Sequence, residues 1–171
     1  WLKKNFENVE DLKIDLSVVF ENFKTALNSN NSEHGYANSQ ARIRMTTLYQ
    51  IAASNKGIVV GTGNKVEDFG IGFYTKYGDG GVDISPIADC LKTEIWDMGK
   101  ELMINQDIID AAPTDGLWTD GRSDEDQVGL SYAEIEEAML NDNSSNRNKY
   151  LEIRSNNVHK MNPIPVCILP K

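Results

Sequence analysis

Residues 61–83 combine charged side chains with an unusual density of glycine, in the sequence GTGNKVEDFGIGFYTKYGDGGVD. Seven of the thirteen glycines of the chain lie here, at positions 61, 63, 70, 72, 78, 80 and 81. In the interior of a strand or helix, glycine costs roughly 0.5–1 kcal/mol of stability relative to alanine. The segment is therefore either a flexible connector or a backbone that is shaped to approach a ligand closely.

Three residues in and after this segment could bind a metal and a phosphate group. Thr62 is predicted at the tip of a buried strand, where α/β proteins bind ligands. Glu67 offers a carboxylate oxygen, which Mg²⁺ prefers. Lys92 begins a predicted helix, where its charge and the free backbone N–H groups would stabilise an anion. Taken alone, each residue fits an ordinary surface position equally well, and the glycines of 78–81 would also suit a hairpin turn.

Two common binding motifs do not fit this sequence. The dinucleotide fingerprint of Rossmann dehydrogenases needs a third glycine where this chain has Val66. The residues that follow it are also too rich in glycine to predict a helix. A calcium loop that began at Asp120 would have Arg122 in third place and Glu125 in sixth place, where glycine is required.

Apolar periodicity predicts the elements that would hold these residues. We expect helices at 17–27, 41–54, 91–103 and 132–140, strands at 9–16 and 57–63, and polar loops at 28–40 and 112–129. The last helix has the fullest signal, because Ser131 and Glu134 form a capping box and Leu130 and Ile135 a hydrophobic staple. A helix followed by a continuous β-branched strand is typical of an α/β fold with a parallel sheet.

Size and charge restrict the class of protein. The sequence has 171 residues, a formal net charge of −9 and 40% hydrophobic residues, which predicts one domain with its own core. An acidic chain lacks the basic patches of a general nucleic-acid or membrane-surface binder. The chain has no apolar run of about 18 residues and no visible signal peptide. Cys90 and Cys167 show no metal-ligand spacing, so we expect buried free thiols in a reducing cytoplasm.

Several segments occur together in the order found in ammonia-dependent NAD synthetases. They are ARIRM, GTGNKVE, FYTKYGDGGVDISPI, LKTEIWDMGKEL, APTDGL, SDEDQVGLSYAEIE and VHKMNPIP. Residues 38–165 therefore resemble this family of N-type ATP pyrophosphatases, over about its C-terminal two thirds. The resemblance implies a Rossmann-like parallel sheet with flanking helices, of the adenine nucleotide alpha-hydrolase kind, in a cytoplasmic homodimer.

The resemblance also implies a reaction. ATP would adenylate the nicotinate carboxylate of deamido-NAD with release of pyrophosphate, and ammonia would then displace AMP to give NAD. Catalysis of this kind depends on positioning and on neutralising phosphate charge with Mg²⁺ and lysine. No side-chain nucleophile is required, and we assign no catalytic residue.

By position in the family, nine residues of this chain are expected to bind substrates or metal. For ATP they are Thr62, Lys92 and Thr114; for Mg²⁺, Glu67; and for deamido-NAD, Arg42, Lys76, Asp83, His159 and Lys160. His159 by itself would suit a surface position, and its neighbour Lys160 strengthens the assignment.

One family element is absent from the sequence. The Ser-Gly-Gly-x-Asp-Ser phosphate loop, whose aspartate is the other Mg²⁺ ligand, does not occur and would precede Trp1. We therefore interpret residues 1–171 as a partial NAD synthetase domain, incomplete at the N-terminus. We expect this span alone not to turn over ATP, and appreciable NAD formed from ATP, Mg²⁺, ammonia and deamido-NAD would contradict that expectation.

Three other interpretations stay open at this point. The chain could be the synthetase domain of a glutamine-dependent NAD synthetase, which a glutaminase assay on the full-length protein would reveal. It could be another N-type pyrophosphatase, such as the GMP synthetase kind, although the YTKYGDGG loop would have no purpose there. It could also be a non-catalytic nucleotide-binding or dimerising module, which an intact mass near 19.1 kDa would favour.

Overall fold

The computed structural model describes residues 1–28 and 32–170, and helices dominate this part of the chain. In chain order the helices are α1 (Leu2–Asn5), α2 (Ser17–Leu27), α3 (Glu33–Ser54), the π-helix π1 (Lys65–Ile71), α4 (Lys92–Glu101), α5 (Gln106–Ile109), α6 (Asp124–Val128), α7 (Tyr132–Leu140) and α8 (Arg147–Met161). The predicted helices at 17–27, 41–54, 91–103 and 132–140 are confirmed. None of the helices in the described ranges combines the length and apolarity needed to cross a bilayer.

The prediction of a polar loop at 28–40 is wrong for its second half, because α3 begins at Glu33. Residues 29–31 lie outside the described residues. The Ser32 side chain caps the helix by accepting a hydrogen bond from the Gly35 N–H at 2.9 Å. Ala37 and Ala41 are both buried, so the polar residues between them lie on a helix that is anchored by small apolar contacts.

The predicted loop at 112–129 is also interrupted, since α6 forms at Asp124–Val128. Ser123 and Asp126 make a capping box at its start, which the acidic character of the segment concealed. The two cysteines are free thiols, as predicted, but only Cys90 is half-buried and Cys167 is exposed.

The two predicted strands do not form in the described residues. Residues 9–16 have no regular structure, and Leu12 and Ile14 are exposed. Residues 57–63 are extended only around a single parallel bridge between Val60 and Ile84. Within 1–28 and 32–170 the parallel sheet is thus reduced to this bridge, because a strand requires pairing partners that propensity does not supply.

Burial of the 57–63 segment is one-sided. Val59 is 6% exposed, whereas its neighbours Ile58 and Val60 are 59% and 52% exposed. The prediction that both faces are covered is therefore wrong. The bridge still holds Thr62 close to the segment around Ile84, since the Gly61 N–H donates to the Ile84 carbonyl at 2.8 Å.

The hydrophobic core lies where π1, α7 and α8 meet. Its buried members are Val66, Ile71, Leu130, Tyr132, Ile135, Ala138 and Tyr150. Leu130 and Ile135 flank the confirmed capping box of Ser131 and Glu134, as the staple pattern predicted. Helix α7 is therefore fixed both at its N-terminus and along its apolar face.

The segment after Gly63 forms a π-helix, although its glycines argued against any helix. The Asn64 side chain accepts hydrogen bonds from the N–H groups of Val66 at 2.9 Å and Glu67 at 3.0 Å, which starts the turn. Gly72 ends it with a φ of 65°. Short π-helices are rare and occur frequently at functional sites, and this one carries Glu67.

Replacement of Gly72 by alanine is expected to destabilise the protein by about 2–4 kcal/mol. Its φ is in the left-handed region, and an added Cβ would lie 2.6 Å from the Cβ of Asn157. Urea unfolding would measure the loss. Gly121→Ala is the matched control, because Gly121 has a φ of 71° and its Cβ would meet no described atom within 4 Å. The control isolates the cost of placing an alanine in the left-handed region, about 1 kcal/mol. An equal loss of stability in both variants would show that the close approach to Asn157 costs nothing.

Candidate functional site

Glu67 and Lys92 form a salt bridge that is largely withdrawn from solvent. The Lys92 Nζ lies 2.9 Å from Glu67 Oε1, and the two side chains are 18% and 16% exposed. Glu67 lies in the first turn of π1, and Lys92 is the first residue of α4. The sequence proposed these two residues for one site, and the structure brings them into contact.

Tyr132 completes the surroundings of this pair. Its hydroxyl donates to the same Glu67 Oε1 at 2.5 Å. Its ring lies beneath the lysine, with Lys92 Nζ 4.8 Å from the ring centroid. Burial raises the pKa of the Tyr132 hydroxyl, and the nearby Glu67 charge raises it further, so the group remains a hydrogen-bond donor.

Asp124 extends the cluster on the other side of Tyr132. The Tyr132 oxygen lies 3.1 Å from Asp124 Oδ2. Asp124 is 8% exposed, and its Oδ1 has no hydrogen-bond partner among the described residues. Burial raises the pKa of this carboxyl, and the charge of Glu67 adds to the rise. Buried polar atoms are normally paired. An unpaired Oδ1 is therefore unusual, and it can accept a further hydrogen bond.

The cluster fits a Mg²⁺ ion only in company with other oxygen ligands. In the described part of the chain, no group of three or more His, Cys, Asp or Glu residues could hold a metal. Lys92 and Tyr132 both donate to Oε1 of Glu67, so neither of these bonds uses Oε2. Mg²⁺ in nucleotide sites is typically held by one or two carboxylates, substrate phosphates and water, and this donor set meets the protein's share.

The described part of the chain also holds a cavity of about 450 Å³, and Glu67, Lys92, Tyr132 and Asp124 are not among the residues that line it. Helix α3 forms one wall, with Met45 and Leu48, and Trp118 contributes from the 112–123 loop. Thr62 and Lys160 are the predicted site residues that line it. This volume is within the usual range for small-molecule sites. Apolar side chains share the lining with polar ones such as Arg44, Asp79 and Lys160.

Lys160 is held rigidly at the cavity wall. Its Nζ donates to the carbonyl oxygens of Gly72 and Tyr74, both at 2.8 Å. Burial lowers the pKa of this ammonium group. The lysine joins α8 to the glycine-rich segment and keeps a cationic donor next to the cavity.

Three further predicted residues form a chain across the glycine-rich segment. Arg42 Nε on α3 donates to the carbonyl oxygen of Lys76 at 3.3 Å. Lys76 Nζ in turn donates to the carbonyl oxygen of His159 at 2.7 Å. These bonds connect Arg42, Lys76 and His159. His159 takes part only through its backbone carbonyl, and its side chain is exposed.

The remaining two predicted residues, Asp83 and Thr114, form hydrogen bonds with backbone groups. Asp83 Oδ2 accepts a hydrogen bond from the Val59 N–H at 2.7 Å, which ties the 83–84 segment to the bridge. Thr114 is exposed, accepts from the Gly116 N–H at 3.2 Å and donates to the Arg122 carbonyl at 3.3 Å. Neither side chain joins the Glu67–Lys92 cluster in this state.

Sequence reasoning missed Tyr132 and Asp124 as members of the cluster. Both lie in SDEDQVGLSYAEIE, a segment that was singled out for resemblance but not for individual side chains. It also missed Arg44, which donates to the backbone oxygens of Asp115 at 3.3 Å and Gly116 at 3.1 Å and so holds the 112–123 loop against α3. An arginine two residues after Arg42 was the available signal.

Asp68 gives the region a pH dependence. Burial raises the pKa of its carboxyl from 3.8 to about 6, with the charges of Glu67 and Asp79 adding to the rise. Between these values the folded protein binds more protons than the unfolded chain, so its free energy of unfolding falls as the pH rises. The loss of stability caused by ionising the buried Asp68 carboxyl is absent below pH 3.8 and fully present above about pH 6.

Asp68→Asn is therefore expected to flatten the pH profile of stability and to stabilise the metal-free protein by about 2 kcal/mol at pH 7. Urea unfolding at pH 4.5 and pH 7 would measure both effects. Asp97→Asn, an exposed carboxylate paired with Lys100, is the control. A variant that is equally destabilised at both pH values would contradict the assignment.

Comparison with known proteins places this geometry in a family. The NAD synthase family model matches residues 2–164. The NH(3)-dependent NAD(+) synthetase of Methanococcoides burtonii is 44% identical over 128 residues, which cover 74% of this chain and 48% of that protein. The synthetase of the same name from Mesoplasma florum is 40% identical over 131 residues, covering 75% and 53%. The chain spans about half the length of these curated relatives.

Two solved structures resemble the fold. NMN synthetase from Francisella tularensis has a TM-score of 0.84 at 32% identity, over 95% of this chain and 67% of that chain. NH3-dependent NAD synthetase from Campylobacter jejuni, in complex with the nitrate ion, has a TM-score of 0.69 at 25% identity, over 91% and 64%. Because the family match covers nearly all of the sequence and the structural likeness follows the same chain, this protein belongs to the NAD synthase family.

Proposed function

We propose that this chain serves the ATP-dependent amidation of deamido-NAD by ammonia, with AMP and pyrophosphate as the other products. The observation that carries the proposal is the withdrawn Glu67–Lys92 pair, held by Tyr132. A carboxylate and an ammonium group at one place are what a magnesium–phosphate complex requires. Relatives named NH(3)-dependent NAD(+) synthetase, which share 40–44% identity, support the same reaction.

The reaction divides the proposed residues into three groups. Thr62, Lys92 and Thr114 bind ATP, Glu67 binds Mg²⁺, and Arg42, Lys76, Asp83, His159 and Lys160 bind deamido-NAD. In this arrangement Lys92 neutralises phosphate charge as adenylation proceeds, and Glu67 would hold the cation. Bound Mg²⁺ would supply further charge neutralisation on the phosphate oxygens. Lys160, fixed by two carbonyl oxygens, gives the anionic dinucleotide a positioned donor.

The reaction requires the protein to position the substrates, and it requires no side-chain nucleophile. A carboxylate is a poor electrophile until AMP is attached as a leaving group, and ammonia is itself the nucleophile that follows. Holding the two reactants in line converts a bimolecular step into an effectively unimolecular one. The Arg42–Lys76–His159 chain fixes the glycine-rich segment between α3 and α8, which is the kind of rigidity this step needs.

The test is an amidation assay on the protein expressed from its complete reading frame. NAD formation from ATP, Mg²⁺, ammonia and deamido-NAD is expected, with one AMP released per NAD. A parallel reaction with glutamine in place of ammonia separates a glutamine-dependent synthetase. Binding of nucleotide without any AMP release would instead favour a non-catalytic module and contradict the proposal.

A second candidate is amidation of nicotinate mononucleotide. The higher TM-score, 0.84 against 0.69, is with a structure described as an NMN synthetase. The same assay decides between the two when kcat/KM is compared for nicotinate mononucleotide and deamido-NAD. We expect the dinucleotide to be preferred, and a mononucleotide preference would overturn that part of the proposal.

We also propose that the protein works as a cytoplasmic homodimer. Helices α2 and α3 leave apolar side chains uncovered, with Val18 72%, Val19 50% and Leu48 53% exposed. Apolar exposure of this extent is common at subunit interfaces. Light scattering coupled to size-exclusion chromatography would show twice the monomer mass, and a monomer at micromolar concentration would contradict the dimer.

A further inference from the structure

We propose that helix α7 positions both members of the Glu67–Lys92 pair, through Tyr132 for the glutamate and Glu136 for the lysine. These two side chains act through their neighbours and are therefore positioning residues. The inference rests on the proposed function, because it gives the pair a task in binding metal and nucleotide. It extends that function to two side chains that the predicted site residues did not include.

The contact of Tyr132 with Glu67 selects one carboxylate oxygen. A lysine ammonium can approach either oxygen of a glutamate from many directions, so the salt bridge alone leaves the carboxylate free to rotate. The Tyr132 hydroxyl adds a directional bond of 2.5 Å to Oε1. With Oε1 held twice, the plane of the carboxylate is fixed and Oε2 is turned to a single side.

Glu136 performs the corresponding task for α4. It is 7% exposed, and its Oε1 accepts the Thr93 N–H at 3.0 Å while its Oε2 accepts the Thr93 hydroxyl at 2.7 Å. Thr93 directly follows Lys92 in the first turn of α4. A carboxylate that binds the free N–H groups of a first turn stabilises the helix start, so Glu136 fixes the point from which Lys92 extends.

The geometry of α7 makes the two contacts cooperative. Tyr132 and Glu136 are four residues apart, so they lie on the same face of the helix, one turn above the other. The helix itself is fixed by its capping box and by Ile135 and Ala138, which are 2% and 0% exposed. A displacement of α7 would therefore move both members of the pair together.

Metal and nucleotide binding by four variants of the full-length protein tests the inference. Mn²⁺ affinity, measured by electron paramagnetic resonance with a non-hydrolysable ATP analogue, is expected to fall about tenfold in Tyr132→Phe, as is usual when a partner of a metal ligand is removed. Analogue affinity is expected to fall several-fold in Glu136→Gln. Thermal unfolding of each variant is recorded in parallel.

Two neighbouring substitutions serve as matched controls. Tyr150→Phe removes a hydroxyl from the same core, where Arg147 lies over the ring. Glu137→Gln changes the adjacent glutamate of α7, whose contacts are with Asn141 and Ser144. Both are expected to keep the Mn²⁺ and analogue affinities within twofold of the unmodified protein.

The outcomes separate the inference from the proposed function. Lower melting temperatures with unchanged affinities, measured well below those temperatures, would show that Tyr132 and Glu136 are structural only and would overturn the inference. If Tyr132→Phe does not fold, unchanged analogue binding by Glu136→Gln overturns it alone. Absence of any Mn²⁺–analogue binding by the unmodified protein would overturn the proposed function, and the inference with it.

Discussion

Glu67→Gln is expected to lower kcat/KM for NAD formation by at least about a hundredfold. Glutamine keeps the shape of the side chain but loses the charge that we propose binds the cation and that pairs with Lys92 at 2.9 Å. Lys92 is then left with 18% exposure and no carboxylate partner, which costs about 2–3 kcal/mol of stability. Initial rates over a series of Mg²⁺ concentrations measure the first effect, and urea unfolding measures the second.

The concentration series distinguishes the two roles of Glu67. If it binds the cation, the Mg²⁺ concentration for half-maximal rate rises in the variant. If it only supports Lys92, the dependence on Mg²⁺ stays as it was while the KM for ATP rises. Asp97→Asn removes an exposed carboxylate on α4 and serves as the control. Full activity in Glu67→Gln would refute the metal-site assignment.

Lys160→Met is expected to raise the KM for the dinucleotide by about tenfold or more, with a smaller change in kcat. Methionine retains much of the apolar stem and removes the donor that lines the cavity. It also leaves the carbonyl oxygens of Gly72 and Tyr74 without that partner, so a loss of about 1–3 kcal/mol in stability accompanies it. Steady-state kinetics with deamido-NAD as the varied substrate measure the change.

Lys149→Met is the control for this prediction. Lys149 also donates to a backbone carbonyl, that of Gly129, but it is exposed and does not line the cavity. An unchanged KM in Lys160→Met would show that the dinucleotide binds elsewhere. An equal rise in the KM values for ATP and for the dinucleotide would mean that the lysine supports the shape of the cavity rather than one substrate.

The glycine-rich segment at 61–83 can be recognised in the sequence, but its conformation and neighbours cannot be predicted from it. The glycines predict room for a ligand, but at Gly63 the protein itself occupies the space, since the Asp68 carboxylate lies where a Cβ would be. Small side chains are required there because π1 folds back on the preceding residues. The residues indicated an unusual backbone correctly, and the identity of the neighbour depended on the fold.

The sequence alone predicted helices at 17–27, 41–54, 91–103 and 132–140 and assigned Glu67 and Lys92 to one site. Capping boxes, apolar periodicity and helix ends act over three or four residues, so Ser131 and Glu134 specify the start of α7 wherever it packs. Family motifs likewise pointed to the residues around 61–92. These signals are local or are carried by sequence identity, and both survive without knowledge of the tertiary structure.

The surroundings of that pair and the outcome of the predicted strands depend on tertiary packing. Tyr132 reaches Glu67 across 65 positions of sequence, and that meeting follows from how α7 packs on π1. The 57–63 segment has strong β propensity, yet it forms a single bridge, because pairing is set by the segments that lie beside it. Contacts between distant segments depend on the packing of the whole chain, which no local pattern encodes.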